Sequence, residues 1–407
     1  MNHISDMVWG AVEPSEMPSS RLRLDFGLRP AILRFNEWAV PGLGGAFFVR
    51  QLSWSCMGLR LAHELNGLTT AAKIAEALEA LAGWIVVRQA GDSRVEDDRV
   101  QGKRKFKQFS SLSFDEITRG GAYVTVPFRR AATRALPGMG FCTEEARFSA
   151  LTLTQEGSEL AESAMSDAQA RIRMVNWVSA GTDQISRVSE PLRKALVPQH
   201  ASDAEKALVK KMVLGDERRA VLASLLRRIP VERLADNGGR EVFLDGLPDA
   251  AMRKRMRTCF AFEDLRTASL AAAQEVSNEI SGQALSSTQL AGRTEIAKRF
   301  EKLDAASSAV RELLDSEAPI EVTDFCAEQA HTSLSHRVLS LCFRIPMIFS
   351  VVGEQIDKGV GYTTDLISDE PLGHPERSEG GALSVPRPIL RLKRLLLETG
   401  ERFEHVS

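Results

Sequence analysis

Apolar residues recur at helical spacing through the second half of the chain, and this feature constrains the fold most. One stripe contains Leu208, Met212 and Val213, and another contains Val221 and Leu225. Steps of three and four residues place such side chains on one face of an α-helix. The segments with this spacing are 159–188, 203–228, 248–283, 288–316, 323–352 and 386–400. Since aromatic residues make up only 6% of the chain, the sequence predicts a mainly α protein rather than a sheet-rich one.

The length of the chain predicts more than one domain. At 407 residues it exceeds the size at which a single hydrophobic core usually stops growing. We predict an extended arm over residues 1–30, a first domain over 31–165 that is α-helical with a few short strands, and an all-helical domain over 166–407. A loop at 371–381, rich in Gly, Pro and charged residues, is predicted to be mobile.

The first domain is predicted to contain a mostly buried helix and, after it, an amphipathic helix whose charged residues lie on the face opposite its apolar residues. The glycines within residues 42–45 do not fit the dinucleotide-binding pattern and predict a tight turn before the first of these helices. The pair Thr69-Thr70 is the predicted cap of the second helix, which we expect to end at Gly83. Residues 84–87 then form either a short buried strand or a continuation of the helix.

A strand over residues 148–153, followed by a helix capped by Thr154, is predicted to close the first domain. The sequence Leu-Thr-Leu-Thr-Gln-Glu-Gly from Leu151 resembles the last wing strand and following helix of MarR- and PadR-like winged-helix proteins. The resemblance implies a DNA-binding domain with residues 70–82 in the position of the recognition helix. Residues 83–147 are longer than a simple wing, so either the wing is elaborated or the resemblance is to a generic strand–helix join.

A second resemblance covers more of the chain. Val-Pro-Gly-Leu-Gly at 40–44 precedes a helix with Arg50 and Trp54, and residues 77–81 and an Arg-rich helix before Gly140 follow. This order resembles a bacterial family, itself uncharacterised, that is carried in mobile-element and phage-defence gene neighbourhoods. The resemblance implies protein partners from the same operon, and it supplies no catalytic residues.

Cationic residues near the middle of the chain are the candidate nucleic-acid ligands. The formal net charge is −2, so any contact with nucleic acid must come from a local patch. Lys and Arg neutralise phosphates and make binding salt-dependent. The candidates are Lys103, Arg104, Lys105, Lys107, Arg129, Arg130 and Arg134. In the alternative interpretation Asp92, Glu96, Asp97 and Asp98 pair with residues 103–107, and the segment is a solvated charged loop.

Two further cationic segments have other interpretations. Residues 253–257 are basic at the start of a helix, where positive charge is unfavourable to the helix dipole, and this predicts an acidic neighbour or an external partner. The amphipathic helix over 386–400 is predicted to dock against the protein's own body.

No motif for a metal, a cofactor or a catalytic nucleophile is present. The chain lacks a phosphate-binding GxxxxGK[ST] loop, a GxSxG elbow and an HExxH sequence. His331 and His336 are predicted to lie on one helix and to point in different directions. Five scattered cysteines without a CxxC pair, and a first segment without the apolar core of a signal peptide, predict a cytoplasmic protein with reduced thiols and no membrane contact.

The sequence therefore favours a non-enzymatic, DNA-associated accessory protein of a bacterial mobile-element or phage-defence system. The basic patch would bind duplex DNA, and the helical second domain would mediate assembly, with homo-oligomerisation left open. One alternative is a protein-interaction subunit of a defence complex that makes no nucleic-acid contact. Another is an enzyme whose active site is assembled from dispersed residues.

Overall fold

The computed structural model describes residues 24–91, 93–366 and 384–403, and these residues form 18 α-helices and three short β-strands. The prediction of a mainly α protein is confirmed. Most of the predicted arm and the whole predicted loop at 371–381 lie outside the described residues. The helices are α1 (Arg29–Ala39), α2 (Val49–Glu64), α3 (Ala71–Ala90), α4 (Lys103–Phe106), α5 (Phe114–Thr118), α6 (Phe128–Gly138), α7 (Gln155–Ala164), α8 (Ala168–Ala180), α9 (Glu190–Leu196), α10 (Asp203–Leu214), α11 (Glu217–Arg228), α12 (Asn237–Asp245), α13 (Ala250–Glu279), α14 (Ser287–Ala291), α15 (Thr294–Leu313), α16 (Ile320–Gln329), α17 (Leu334–Phe343) and α18 (Arg387–Glu398). The strands are β1 (Leu285–Ser286), β2 (Phe349–Val352) and β3 (Gln355–Lys358).

The chain divides into two compact units. The larger unit comprises Leu33–Glu263 and Gly373–Ser407, and the smaller unit comprises Met1–Ile32 and Asp264–Leu372. These divisions fall at other positions than the predicted domains 31–165 and 166–407. Within the larger unit no division occurs near residue 165, because α2 packs on both α7 and α10.

The buried pair α2 and α3 forms the centre of the larger unit. The predicted turn precedes α2, with Gly42 and Gly44 at positive φ, and the Thr70 hydroxyl caps α3 by accepting a hydrogen bond from the Lys73 N–H. The predicted end of this helix at Gly83 is wrong, because α3 runs to Ala90. Of the two alternatives for residues 84–87, continuation of the helix is confirmed. Gly83 makes room for Phe106, since a Cβ at this position would lie 2.8 Å from the Phe106 ring.

Three fully buried tryptophans attach the connecting segments to the helices. The indole N–H of Trp54 donates to the Leu196 carbonyl at 2.9 Å, that of Trp84 to Phe109 at 3.0 Å, and that of Trp177 to Leu112 at 3.1 Å. Each side chain thus buries a large apolar surface and satisfies its one polar atom. The end of α9 and the segment between α4 and α5 are fixed in this way.

A buried ion pair joins α2 to α10. The Arg50 guanidinium and the Glu205 carboxylate are 3.1 Å apart, and each side chain is only 1% exposed. Glu205 also accepts a hydrogen bond from the Ser53 hydroxyl at 2.6 Å. Arg50 donates to backbone carbonyls of the 194–200 segment at 2.6–3.0 Å. Burial lowers the pKa of Arg50, so this cation depends on the partner that its pocket supplies.

The predicted strand over residues 148–153 is wrong, whereas the predicted cap that follows it is confirmed. Phe148–Ala150 is a turn of 3-10 helix, and Leu153 forms only an isolated bridge with Cys142. The Thr154 hydroxyl caps α7 by accepting from the Gly157 N–H at 3.1 Å. The chain at Phe141 passes so close to residue 157 that only glycine fits there. A Cβ at this position would lie 2.0 Å from the Phe141 carbonyl oxygen.

Replacing Gly157 with alanine is expected to destabilise the larger unit by about 1–3 kcal/mol, because the backbone at Phe141 must move to admit the methyl group. Urea denaturation followed by tryptophan fluorescence measures this loss. Gly120→Ala is the matched control, because a Cβ there meets nothing within 4 Å, and its effect is expected to stay within about 0.5 kcal/mol. Equal effects of the two substitutions would contradict the explanation.

The smaller unit combines helices with a three-stranded antiparallel sheet in the order β1–β3–β2. Phe349 to Val352 of β2 pair with Lys358 to Gln355 of β3, and Leu285 of β1 pairs with Ile356. The helical prediction for residues 323–352 is therefore wrong at 349–352. At the end of the predicted arm, Phe26 is buried against Phe325, with ring centroids 6.3 Å apart.

None of the helices formed by the described residues has the length and the apolar run needed to cross a lipid bilayer.

Candidate nucleic-acid interface

Helix α4 carries the first group of predicted cations and is anchored by its one aromatic residue. Phe106 is fully buried and stacks on the ring of Tyr123, with centroids 5.7 Å apart. The Lys105 ammonium donates to the carbonyls of Gly121 and Tyr123, at 2.6 Å for the latter. The side chain of Lys105 therefore fixes α4 to the chain that leads into α6.

A buried carboxyl group holds the start of α6. The residue before α6 is Pro127, which has no capping side chain. Glu79 of α3 supplies the missing cap, because its carboxyl group accepts from the N–H groups of Phe128 and Arg129. It also accepts a hydrogen bond from the Tyr123 hydroxyl at 2.7 Å. Burial raises the pKa of Glu79 to about 8, against the opposing effect of these hydrogen bonds.

Tyr123 thus connects the two cationic helices. Its hydroxyl group touches the carboxyl that caps α6, its ring lies on Phe106, and its carbonyl binds Lys105. Helix α4 and the first turn of α6 are consequently neighbours on the same side of α3. Burial raises the pKa of the Tyr123 hydroxyl, so it stays a neutral donor in this position.

Helix α6 presents two arginines outward and one inward. Arg129 pairs with Glu76 of α3, and its guanidinium lies 5.7 Å from the centroid of the Phe148 ring. Arg130 and Arg134 are exposed. They are four residues apart, so they lie on the same face of α6, separated by about one helical turn.

The structure separates the seven predicted ligands into two groups. Lys105 and Arg129 are engaged within the protein, and Lys103 is half-buried, with its pKa lowered by burial. The other four are exposed, and their side chains form no ion pair or hydrogen bond with any described residue. We call these four the cationic surface: Arg104, Lys107, Arg130 and Arg134.

The neighbouring acids have other partners, so they do not neutralise the cationic surface by direct contact. Asp97 pairs with Arg99 at 2.9 Å, and Asp98 pairs with Arg394 of α18. Asp92 lies outside the described residues. Residues 103–134 contain eight Lys and Arg residues but only two acids, and one of these acids, Glu116, accepts hydrogen bonds from Ser113 and Gln184.

No protein-family model, curated protein or solved structure matches this chain. The assignment of a function therefore rests on geometry and charge. Among the described residues, no group of three or more His, Cys, Asp or Glu side chains is arranged to hold a metal ion.

Helix α3 itself is unsuited to reading a DNA groove. Thirteen of its 20 residues are buried, among them Ile74 and Leu78, so it forms part of the core rather than a projecting recognition helix. The cations that can reach a phosphate lie instead on α4 and α6, which pack on α3.

The other predicted cationic segments are engaged within the larger unit. Arg257 pairs with Glu241 at 2.9 Å, which is the acidic neighbour predicted for residues 253–257. Helix α18 buries Leu392, Leu395 and Leu396 and packs on α11. The prediction that this helix docks against the protein's own body is therefore confirmed.

Sequence reasoning missed two features of the region. Arg119 is an exposed cation within residues 103–134, and its position between the two predicted groups was an available signal. The capping of α6 by Glu79 had no signal in the sequence, because the two segments are brought together only by tertiary packing.

The predicted arrangement of the two histidines is wrong. The chain turns after α16, so His331 precedes α17 whereas His336 lies on it, and their rings stack with centroids 4.0 Å apart.

Proposed function

We propose that this protein is a DNA-associated, non-enzymatic accessory protein that holds duplex DNA through the cationic surface. The observation that supports the proposal is the presence of four exposed cations without acidic partners, on α6, on α4 and at the residue that follows α4. Both helices are held by Tyr123 and α3, so the cations belong to a preorganised scaffold rather than to a free loop. A role in a bacterial mobile-element or phage-defence system is part of the proposal and rests on the sequence resemblance.

The expected mode of binding is contact with the phosphate backbone. Lys and Arg that neutralise phosphates release counterions, so affinity depends strongly on salt and weakly on base sequence. The described part of the larger unit offers no projecting helix beside the cationic surface, since α4 has four residues and α3 is buried. Sequence discrimination is therefore expected to be small.

Charge reversal tests this proposal. The wild-type protein is expected to bind a fluorescein-labelled duplex of arbitrary sequence, with the logarithm of the association constant falling linearly with the logarithm of salt concentration. Arg130→Glu with Arg134→Glu, and separately Arg104→Glu with Lys107→Glu, should each weaken binding about tenfold or more and lower the salt slope by roughly 0.9 for each lost phosphate contact. Fluorescence anisotropy measures both quantities.

A matched control distinguishes binding at the cationic surface from non-specific attraction of DNA to the overall charge of the protein. Arg187 and Arg218 are exposed arginines of the larger unit outside residues 103–134, and reversing both changes the net charge by the same amount. This control variant should retain wild-type affinity and slope. The proposal fails if wild-type protein shows no salt-sensitive binding, or if the control variant loses as much affinity as the variants of the cationic surface.

A further inference from the structure

The smaller unit has the order of elements of a winged-helix domain, although the sequence resemblance placed such a domain in residues 31–165. Strand β1 leads directly into α14, which packs against α17, and the β2–β3 hairpin follows α17. The hairpin joins the sheet with β3 in the centre and β1 on its other side. In this arrangement α17 occupies the position of the recognition helix, β2–β3 is the wing, and α15 and α16 form an insertion.

The Lys and Arg residues of α17 and the β2–β3 hairpin are not available to bind phosphates. Between residues 334 and 358 the Lys and Arg residues are Arg337, Arg344 and Lys358. Arg337 lies 3.8 Å from Asp304, and Arg344 contacts both oxygens of Glu328 at 2.6 and 2.7 Å. Lys358 donates to the Ser281 carbonyl at 2.6 Å and lies over the Tyr362 ring. Each of these cations is therefore committed to a contact within the unit.

The charge balance of the smaller unit also disfavours DNA. Residues 264–366 contain nine Lys and Arg residues and 15 Asp and Glu residues. Two of the acids, Glu354 and Asp357, are exposed on the hairpin itself. A polyanion would be repelled from this wing, whereas a basic partner would be attracted to it.

Large apolar side chains lie exposed at the base of the wing. Phe343 ends α17 and is 58% exposed, and Val360 follows β3 and is 60% exposed. Hydrogen bonds from the Gly359 and Gly361 N–H groups to the Ile348 and Met347 carbonyls, both 2.8 Å, hold Val360 against the turn that follows Phe343. Pro346 is exposed in the same turn. We call Phe343, Pro346 and Val360 the wing-base patch.

We propose that the wing-base patch binds a protein segment in which apolar side chains are flanked by Lys or Arg. The apolar side chains of the segment would cover Phe343 and Val360, and its cations would face Glu354 and Asp357. Exposed apolar groups beside a hairpin that carries two exposed acids, in a unit with more acids than cations, match this chemistry and do not match a nucleic acid. The inference concerns the smaller unit alone and does not depend on DNA binding by the cationic surface.

Selection from a phage library of random peptides on the immobilised full-length protein tests the proposal. The enriched peptides are expected to combine Leu, Ile or Phe with Lys or Arg. Their affinity, measured by fluorescence anisotropy with the synthesised peptides, should fall about tenfold or more in Phe343→Ser and Val360→Ser, as expected when central apolar contacts are removed. The matched control is Ile320→Ser, which removes a 65% exposed apolar side chain of α16 and should leave the affinity unchanged.

Two outcomes would overturn the proposal. In the first, the enriched peptides lack basic residues, or they bind the Phe343 and Val360 variants as tightly as the wild type. In the second, Phe343→Ser or Val360→Ser weakens binding of the labelled duplex while Arg130→Glu with Arg134→Glu does not, so that the smaller unit is the DNA-binding unit. Circular dichroism of each variant confirms that these exposed substitutions leave the fold intact.

Discussion

Replacing Glu205 with glutamine is expected to lower the free energy of unfolding of the larger unit by roughly 3–5 kcal/mol. The substitution keeps the shape of the side chain but leaves the buried Arg50 guanidinium without its ion-pair partner. Arg50 cannot relax towards solvent, because it is bound to the carbonyls of Lys194, Ala195 and His200. Urea denaturation followed by tryptophan fluorescence measures the loss.

A second variant distinguishes the buried charge from the lost hydrogen bonds. With Arg50→Met in the same chain, Glu205→Gln should cost much less than it does alone, since no charge is then stranded, and a double-mutant cycle measures this coupling. The exposed pair of Arg257 and Glu241, at 46% and 57% exposure, lies in the same unit and gives the control. Glu241→Gln should change stability by less than about 1 kcal/mol. Equal losses at Glu205 and Glu241 would refute this account of the ion pair.

The contribution of Glu79 to the stability of the larger unit is expected to decrease as the pH rises from about 4 to about 8. An unfolded glutamate has a pKa of about 4.3, whereas the folded-state pKa is about 8. The folded state therefore binds this proton more tightly, and the stabilisation is complete below the unfolded pKa and lost as the pH rises to the folded one. The slope is at most about 1.4 kcal/mol per pH unit.

The variant Glu79→Gln isolates this contribution, because its amide does not titrate and its oxygen can still accept from Tyr123. The free energy of unfolding of the wild type relative to this variant should decrease as the pH rises from 5 to 8. Urea titrations at a series of pH values measure the difference. A difference that is independent of pH, or that grows in favour of the wild type, would show that the Glu79 carboxyl is ionised in the folded protein at all these pH values.

The sequence predicted features that depend on neighbouring residues. The caps at Thr70 and Thr154, the turn at residues 42–45 and the docking face of α18 are local patterns, and the structure confirms each of them. The prediction at Gly83 was wrong because glycine also serves close packing, here against Phe106. Strand β2 was missed because the apolar run around it continues from α17 without an alternating pattern.

The contacts that define the candidate site could not be predicted in the same way. Helices α2 and α6 are among those that start after a residue without a capping side chain, Phe48 and Pro127 respectively. Their caps come from Glu398 and Glu79, which are distant in sequence. The exposure of each cation likewise depends on partners that are distant in sequence, as the pair of Arg129 and Glu76 shows. These partners can be identified only in the folded chain.

The position of α18 in the chain has a consequence for synthesis on the ribosome. Its Glu398 accepts a hydrogen bond from the Val49 N–H at the start of α2, at 2.9 Å, and its Arg394 pairs with Asp98. Translation therefore delivers one of the last pieces of the larger unit after every residue of Asp264–Leu372 has already been made. The apolar surface that α18 covers in the folded protein, including the part on α11, therefore stays exposed in the nascent chain until α18 has been synthesised.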